Sequence, residues 1–106
     1  MPKNKLRPIH PGEILREEYL EPMGLSANEL ALALRVPANR IGDILQECRG
    51  VTPNTALRLA RYFGTDAQSW LNLQSSYELK VAMHKDGEKI ERDVRPIAAT
   101  LVAASP

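Results

Sequence analysis

"SANELALALRVPANRIGDILQECRG", residues 26–50, decides the fold. Ser26 followed three residues later by Glu29 is a capping box, in which each side chain satisfies an amide at a helix N-terminus. Leu30, Ala31 and Leu34 then recur at helical spacing. Arg35-Val36-Pro37 interrupts the helix, because the residue before a proline is pushed out of the helical region. Pro37 suits the start of a second helix, where its missing N–H costs nothing, and Ile41, Ile44 and Leu45 give that helix an apolar stripe. Ala31 is small where the second helix must cross close to the first. Val36 plugs the turn, and Ile41 and Ile44 anchor the second helix. Leu30, Ala31, Leu34, Val36, Ile41 and Ile44 together fit one template, a helix-turn-helix over about 26–46.

This packing leaves the opposite face of the second helix free. Ala38, Asn39, Asp43 and Gln46 form an exposed stripe suited to the major groove of DNA. Asn39 and Gln46 can bond adenine through two atoms, Asp43 can accept from cytosine N4, and Ala38 can touch a thymine methyl. Gly42 costs about 1 kcal/mol of helix propensity against alanine. It either permits close backbone approach to DNA or is a tolerated surface glycine. Arg40 either reaches a phosphate or pairs with Asp43, and Arg49 is assigned to the DNA backbone. Thr52, Asn54 and Thr55 open the next helix, and Ser26 and Asn28 open an earlier one. Free amides and hydroxyls at such termini form phosphate sites as well as caps. Glu47 is a carboxylate on a surface that would face phosphates.

Working outward, the chain reads as five helices. Pro11-Gly12 opens the first, with Ile14, Leu15 and Tyr19 inward, and Pro22 with Gly24 closes it. Thr52-Pro53 opens the fourth, with Ala56, Leu57, Ala60 and Phe63 on its buried face and Gly64 as a left-handed stop. Thr65 to Gln68 reads as a second capping box. It starts the longest helix, in which Trp70, Leu73, Tyr77 and Val81 share a stripe and Asp86-Gly87 makes the end. Trp70, Leu73 and Tyr77 are assigned to the core or to a dimer interface. The expected division is a basic N-terminal arm over 1–9, a helix-turn-helix domain over 10–85 including the long helix, and a partly extended or flexible tail over 86–106.

Length and composition agree with an all-α domain. The chain has 106 residues, 43% hydrophobic and 25% charged, with five aromatic rings among Phe, Trp and Tyr, so aliphatic packing must dominate. One cysteine, Cys48, excludes an internal disulfide and fits a reducing compartment. The N-terminus lacks the apolar stretch of a secretory signal, and the run "IAATLVAA" is too short to span a bilayer. The net charge of +1 hides separation: residues 10–34 carry Glu13, Glu17, Glu18, Glu21 and Glu29 against Arg16, whereas 35–64 carry five arginines against Asp43 and Glu47. Patches of opposite sign suggest two different partners. Catalysis is disfavoured. His10 and Glu13 lie three apart and Cys48 is a lone thiol, but neither a converging metal-ligand set nor a nucleophile with a base is visible, and His10 reads as a loop or cap residue. No cofactor or metal is expected.

The strings "HPGEILREEYLEPMGLS", "GVTPNTALRLARYFGT", "WLNLQSSYEL" and "KIERDVRPI" carry a more specific resemblance. Over residues 9–95 the chain resembles the HigA or VapI antitoxins, within the Xre (lambda-repressor-like) helix-turn-helix superfamily. The resemblance implies a bacterial cytoplasmic antitoxin with two partners. One is a HigB-type toxin, a small mRNA-cleaving enzyme encoded beside it. The other is palindromic operator DNA, bound as a homodimer to repress the shared operon. It makes Glu13, Glu17, Glu18 and Glu21 a candidate toxin-binding face, which is otherwise a solvated one. A stand-alone repressor and a protein-binding module with a decayed reader are the alternatives. The chain departs from the family in its Gln46-Glu47-Cys48-Arg49, where Asn-Gly-Lys-Arg is usual. A non-glycine residue in left-handed backbone costs on the order of 1 kcal/mol, so the second helix is expected to run on toward Gly50.

Overall fold

The structure, a computed structural model, describes residues 7–97; the first six residues of the basic arm and the terminal stretch 98–106 lie outside it. Five helices account for the described fold. The first, α1 (11–23), is a continuous rod of three segments: Pro11–Ile14, a π-helical Leu15–Leu20 and Glu21–Met23. Pro22 has no N–H to donate, and its ring crowds the carbonyl four residues back. The wide turn before it, with the Glu21 N–H reaching Arg16 O, absorbs that mismatch. Gly24, at φ 62°, closes the rod in the left-handed region.

Ala27–Leu34 forms α2 and Ala38–Leu45 forms α3. The capping box is present: Glu29 N–H donates to Ser26 Oγ at 3.0 Å, and Ser26 N–H donates to Glu29 Oε1 at 2.9 Å. Arg35 takes the left-handed conformation at φ 59°, and Val36 N–H donates back to Ala31 O at 3.0 Å. Pro37 stands one position before the first helical residue, its extended backbone setting the entry to α3. Leu30, Ala31, Leu34, Ile41 and Ile44 are buried together, and Val36 packs against them, as the template requires. Each Leu or Ile taken fully out of water contributes about 1.5–3 kcal/mol.

Pro53–Phe63 forms α4, capped by Thr52, whose Oγ1 accepts from Thr55 N–H. Its buried face is Thr55, Ala56 and Leu59, with Phe63 packed alongside; Leu57 is 63% exposed, contrary to the sequence expectation. Residues 55, 56, 59 and 63 share one side of a 3.6-residue helix, and position 57 points away from it.

The last helix, α5, spans Ala67–Asp93. Its cap is Asp66, which accepts from Ser69 N–H at 2.9 Å. Thr65, the expected capping residue, instead accepts from Trp70 Nε1–H at 2.9 Å. The helix also runs through Asp86-Gly87, where an end was expected, so the tail begins eight residues later than the sequence suggests. A glycine in helical backbone costs about 1 kcal/mol, which slows a helix but does not end one. The stop comes at Val94, two residues before Pro96.

Trp70 is 2% exposed, and Tyr19 lies against both Trp70 and Phe63 at ring-centroid distances of 5.3 and 4.7 Å, joining α1, α4 and α5. Leu73 packs on the same core, and Tyr77 meets the His10 ring edge-on at 4.8 Å. Trp70 thus lies in the core, Leu73 packs at its edge, and Tyr77 is half-buried against His10. Beyond them α5 projects outward, and the described residues extend 56 Å along the long axis but only 25 and 24 Å across it. No helix among the described residues is long and apolar enough to cross a membrane.

Candidate nucleic-acid interface

Burial of Ile41 and Ile44 turns the other side of α3 outward. Ala38, Asn39 and Gln46 are exposed there, and Gly42 and Asp43 are half-buried. The structure thus places all four candidate base-reading side chains on accessible surface. A Cβ built on Gly42 meets nothing within 4 Å, so the glycine is not required by packing inside the molecule. Close approach of something outside remains as a reason for it.

The assigned backbone-contacting residues divide into two places. Arg40, Arg49, Gly50, Thr52, Asn54 and Thr55 line one cleft of about 160 Å³ at the N-terminus of α4. Two guanidinium groups and the amides of a helix N-terminus converge there, an arrangement that suits an anion such as a DNA phosphate. Arg40 Nη1 leans on Asn54 Oδ1 at 3.4 Å rather than on Asp43. Asn54 Oδ1 also accepts from Arg58 Nε at 2.8 Å, which holds the amide in place. Ser26 and Asn28 sit apart, at the N-terminus of α2. Thr55 requires a correction. Thr55 is 2% exposed, its hydroxyl takes the bond from Thr52 Oγ1–H, and its N–H donates to Thr52 Oγ1, so its polar atoms serve the cap.

Two features bear directly on reading. Arg49 Nη2 meets Asp43 Oδ2 at 3.3 Å, with both side chains more than two-fifths exposed. Such a surface pair is worth at most about 1 kcal/mol, so DNA can compete for either partner. Glu47 itself adopts the left-handed conformation, at φ 63°. The helix ends at Leu45 and does not run on toward Gly50 as expected. Cys48 N–H donates to Asp43 O at 2.8 Å and Glu47 N–H to Ile44 O at 3.0 Å, closing the helix despite the strain.

Several residues that hold α3 and the turns around it carry no signal in the sequence. Arg16 Nη1 donates to Leu45 O at 2.7 Å across 29 positions, and Arg58 Nη1 donates to Leu34 O at 2.8 Å across 24. Gln74 Oε1 accepts from Val51 N–H at 2.8 Å, fixing the loop between α3 and α4 from α5.

The acidic side is split. Glu13 is engaged by Arg7 through both oxygens, at 3.0 and 3.1 Å. That contact holds the Glu13 carboxyl below its ordinary range and raises Arg7. Glu17 lies 3.7 Å from Arg16 Nη2, and Glu17, Glu18 and Glu21 are exposed. His10, buried, caps α1 by accepting the Gly12 N–H at Nδ1, 2.8 Å away. Burial pushes its pKa down, against the opposing pull of the Glu47 carboxylate and a hydrogen bond to the main chain of Arg49. Among the described residues no three His, Cys, Asp or Glu side chains converge as metal ligands, and Cys48 is exposed.

A helix-turn-helix family model matches residues 17–70, spanning α2 and α3 and flanking helices on both sides. Virulence-associated protein I of Dichelobacter nodosus is 66% identical over 80 residues, 76% of this chain and 74% of that one. Antitoxin HigA-1 of Vibrio cholerae serotype O1 is 34% identical over 102 residues, 95% of this chain and 94% of that one. Among solved structures, Pseudomonas aeruginosa antitoxin HigA with the higBA promoter superposes with a TM-score of 0.84 at 49% identity, covering 86% of this chain and 99% of that one.

Proposed function

This chain belongs to the HigA-type antitoxins of the helix-turn-helix family, and from that premise we propose that it binds operator DNA and a HigB-type toxin. As a homodimer it represses the operon it shares with that toxin, and it neutralises the toxin's mRNA cleavage, in the bacterial cytoplasm. It acts by binding and not as an enzyme. The observation that carries the DNA half is the cleft at the start of α4, which gathers Arg40, Arg49 and Thr52 beside the free face of α3. Phosphates seated there would fix α3 in the major groove, leaving Ala38, Asn39, Asp43 and Gln46 to meet base edges. A two-fold dimer sets two readers about 34 Å apart, so the operator is a palindrome with half-sites one turn apart.

The toxin half rests on charge. An RNA-cleaving partner is basic, and Glu17, Glu18 and Glu21 present exposed carboxylates on α1, whereas Glu13 is held by Arg7. Titration of the full chain against its own promoter and against the toxin tests both halves. Operator affinity should fall steeply with salt, and Arg40→Ala should make that slope shallower by about one per protomer. Glu17→Lys with Glu18→Lys should weaken toxin binding and spare the operator. Salt-independent DNA binding would sink the first half, and unchanged toxin affinity the second.

A further inference from the structure

The C-terminal end of α3 is held from outside its own motif. Of its last four carbonyls, those of Gly42, Asp43 and Ile44 accept from the N–H groups of Gln46, Cys48 and Glu47. That of Leu45 accepts from the guanidinium of Arg16, on α1. Gly12, one turn earlier on α1, lies so close that a Cβ there would come 1.9 Å from Ile44 O. His10, two residues before it, is buried close enough to the loop after α3 to feel the main chain of Arg49. Positions 10, 12 and 16 of one helix start thus meet 49, 44 and 45 at one helix end. The first two of these approaches bring no formal charge to the end of α3. Arg16 alone brings a formal charge to the negative end of the helix dipole, at hydrogen-bonding distance.

We infer that Arg16 is a positioning residue for DNA reading, setting the depth and tilt at which the far end of α3 presents Asp43 and Gln46 while touching no DNA itself. The inference rests on the reading of α3 as the groove helix. Its physical content is leverage. Pro37 and the buried Ile41 and Ile44 fix the near end and the axis of α3, but its last carbonyl and the strained Glu47 follow immediately. Without the Arg16 bond the final turn has one orphan carbonyl and is free to rotate the Gln46 side chain out of register. Arg16 also lies 3.7 Å from Glu17, so the same guanidinium spans the acidic face of α1 and the end of the reader.

The test compares Arg16→Met and Arg16→Lys with the unaltered full chain. Affinities are measured on its own promoter and on a scrambled duplex of equal length, each over a salt series. Arg16→Met should lose about tenfold on the promoter, as expected for one charge-assisted hydrogen bond, and nothing on scrambled DNA, with the salt slope unchanged. Arg16→Lys keeps a donor and should recover most of the loss. The Arg16 side chain is 37% exposed, so the core does not depend on it, and a thermal melt checks this. Equal losses on both duplexes with a slope shallower by about one would make Arg16 a phosphate contact and overturn the inference. Unchanged promoter preference in Arg16→Met would overturn it as well. Failure of the unaltered chain to prefer its promoter would instead count against α3 as the reader.

Discussion

At the scale of single residues, the helix-turn-helix is framed by two non-glycine residues in left-handed backbone, Arg35 after α2 and Glu47 after α3. Each costs on the order of 1–2 kcal/mol, because its Cβ crowds the adjoining carbonyl. Both persist because the surrounding bonds overdetermine them: Val36 N–H to Ala31 O on one side, Cys48 N–H to Asp43 O on the other. Replacement by glycine separates strain from charge. Glu47→Gly should stabilise the fold by about 0.5–1 kcal/mol, the relief being partly offset by the freer unfolded chain, and should also tighten operator binding by removing a carboxylate from the phosphate-facing side. Arg35→Gly should give a similar stabilisation without tighter binding. Denaturant unfolding and promoter titration at fixed salt measure the two effects. A lower unfolding midpoint for Glu47→Gly would contradict the strain argument.

At the scale of elements, the start of α1 is a junction. The His10 ring caps its own helix, meets Tyr77 of α5 edge-on and lies within the electrostatic reach of the loop after α3. Since Nδ1 must accept the Gly12 N–H, the junction needs neutral imidazole, and burial works in the same direction. A folded pKa below the unfolded value of about 6.5 gives stability that is present above that value and lost as pH falls through the folded one. Glu47 opposes this shift from the facing loop, and Arg49 contributes its main chain. The Glu13 carboxyl, also lowered, loses its contribution only in the more acid carboxylate range. Melting temperature should therefore drop between pH 7.5 and 5.5 in the unaltered chain. His10→Asn keeps an acceptor at the cap and should flatten that drop; an equal drop would place the titrating group elsewhere.

What the sequence made legible at this scale is local physics. Ser26 with Glu29, Thr52 with Pro53, and Gly64 announce helix ends because capping is decided within three or four residues. The six-position template worked because apolar spacing on two adjacent helices has few solutions. The errors lie where distant chain decides. Leu57 and Leu59 are equivalent as leucines, and only the packed core shows that 59 faces in. Gly87 looks like an end until 27 residues of helix outweigh it. Arg16 on Leu45, Arg58 on Leu34 and Gln74 on Val51 span 29, 24 and 23 positions, beyond any local pattern. The candidate reading face was legible, and the residues that hold it were not.

At the scale of the molecule, the buried core ends with Trp70 and its neighbours, while α5 continues for several turns without a partner among the described residues. Leu79, Met83 and Ile90 recur four and seven apart along that projection and are exposed by 62, 58 and 53%. Such a stripe has the spacing of a helix–helix seam, and the part of α5 beyond Tyr77 is about 24 Å long, able to supply part of an ordinary interface of about 800 Å² per partner. The proposed two-fold repressor needs a second copy, and Leu79, Met83 and Ile90 are large apolar side chains that α5 leaves exposed. Met83→Glu with Ile90→Glu should convert the dimer to monomer in sedimentation at micromolar concentration. The core should melt within about 0.5 kcal/mol of the unaltered chain when both are compared as monomers, since neither side chain touches it. Operator affinity should fall by at least about a hundredfold, because each half-site then binds without its partner. A double variant that still sediments as a dimer would move the two-fold axis off α5, and with it the spacing of the two readers.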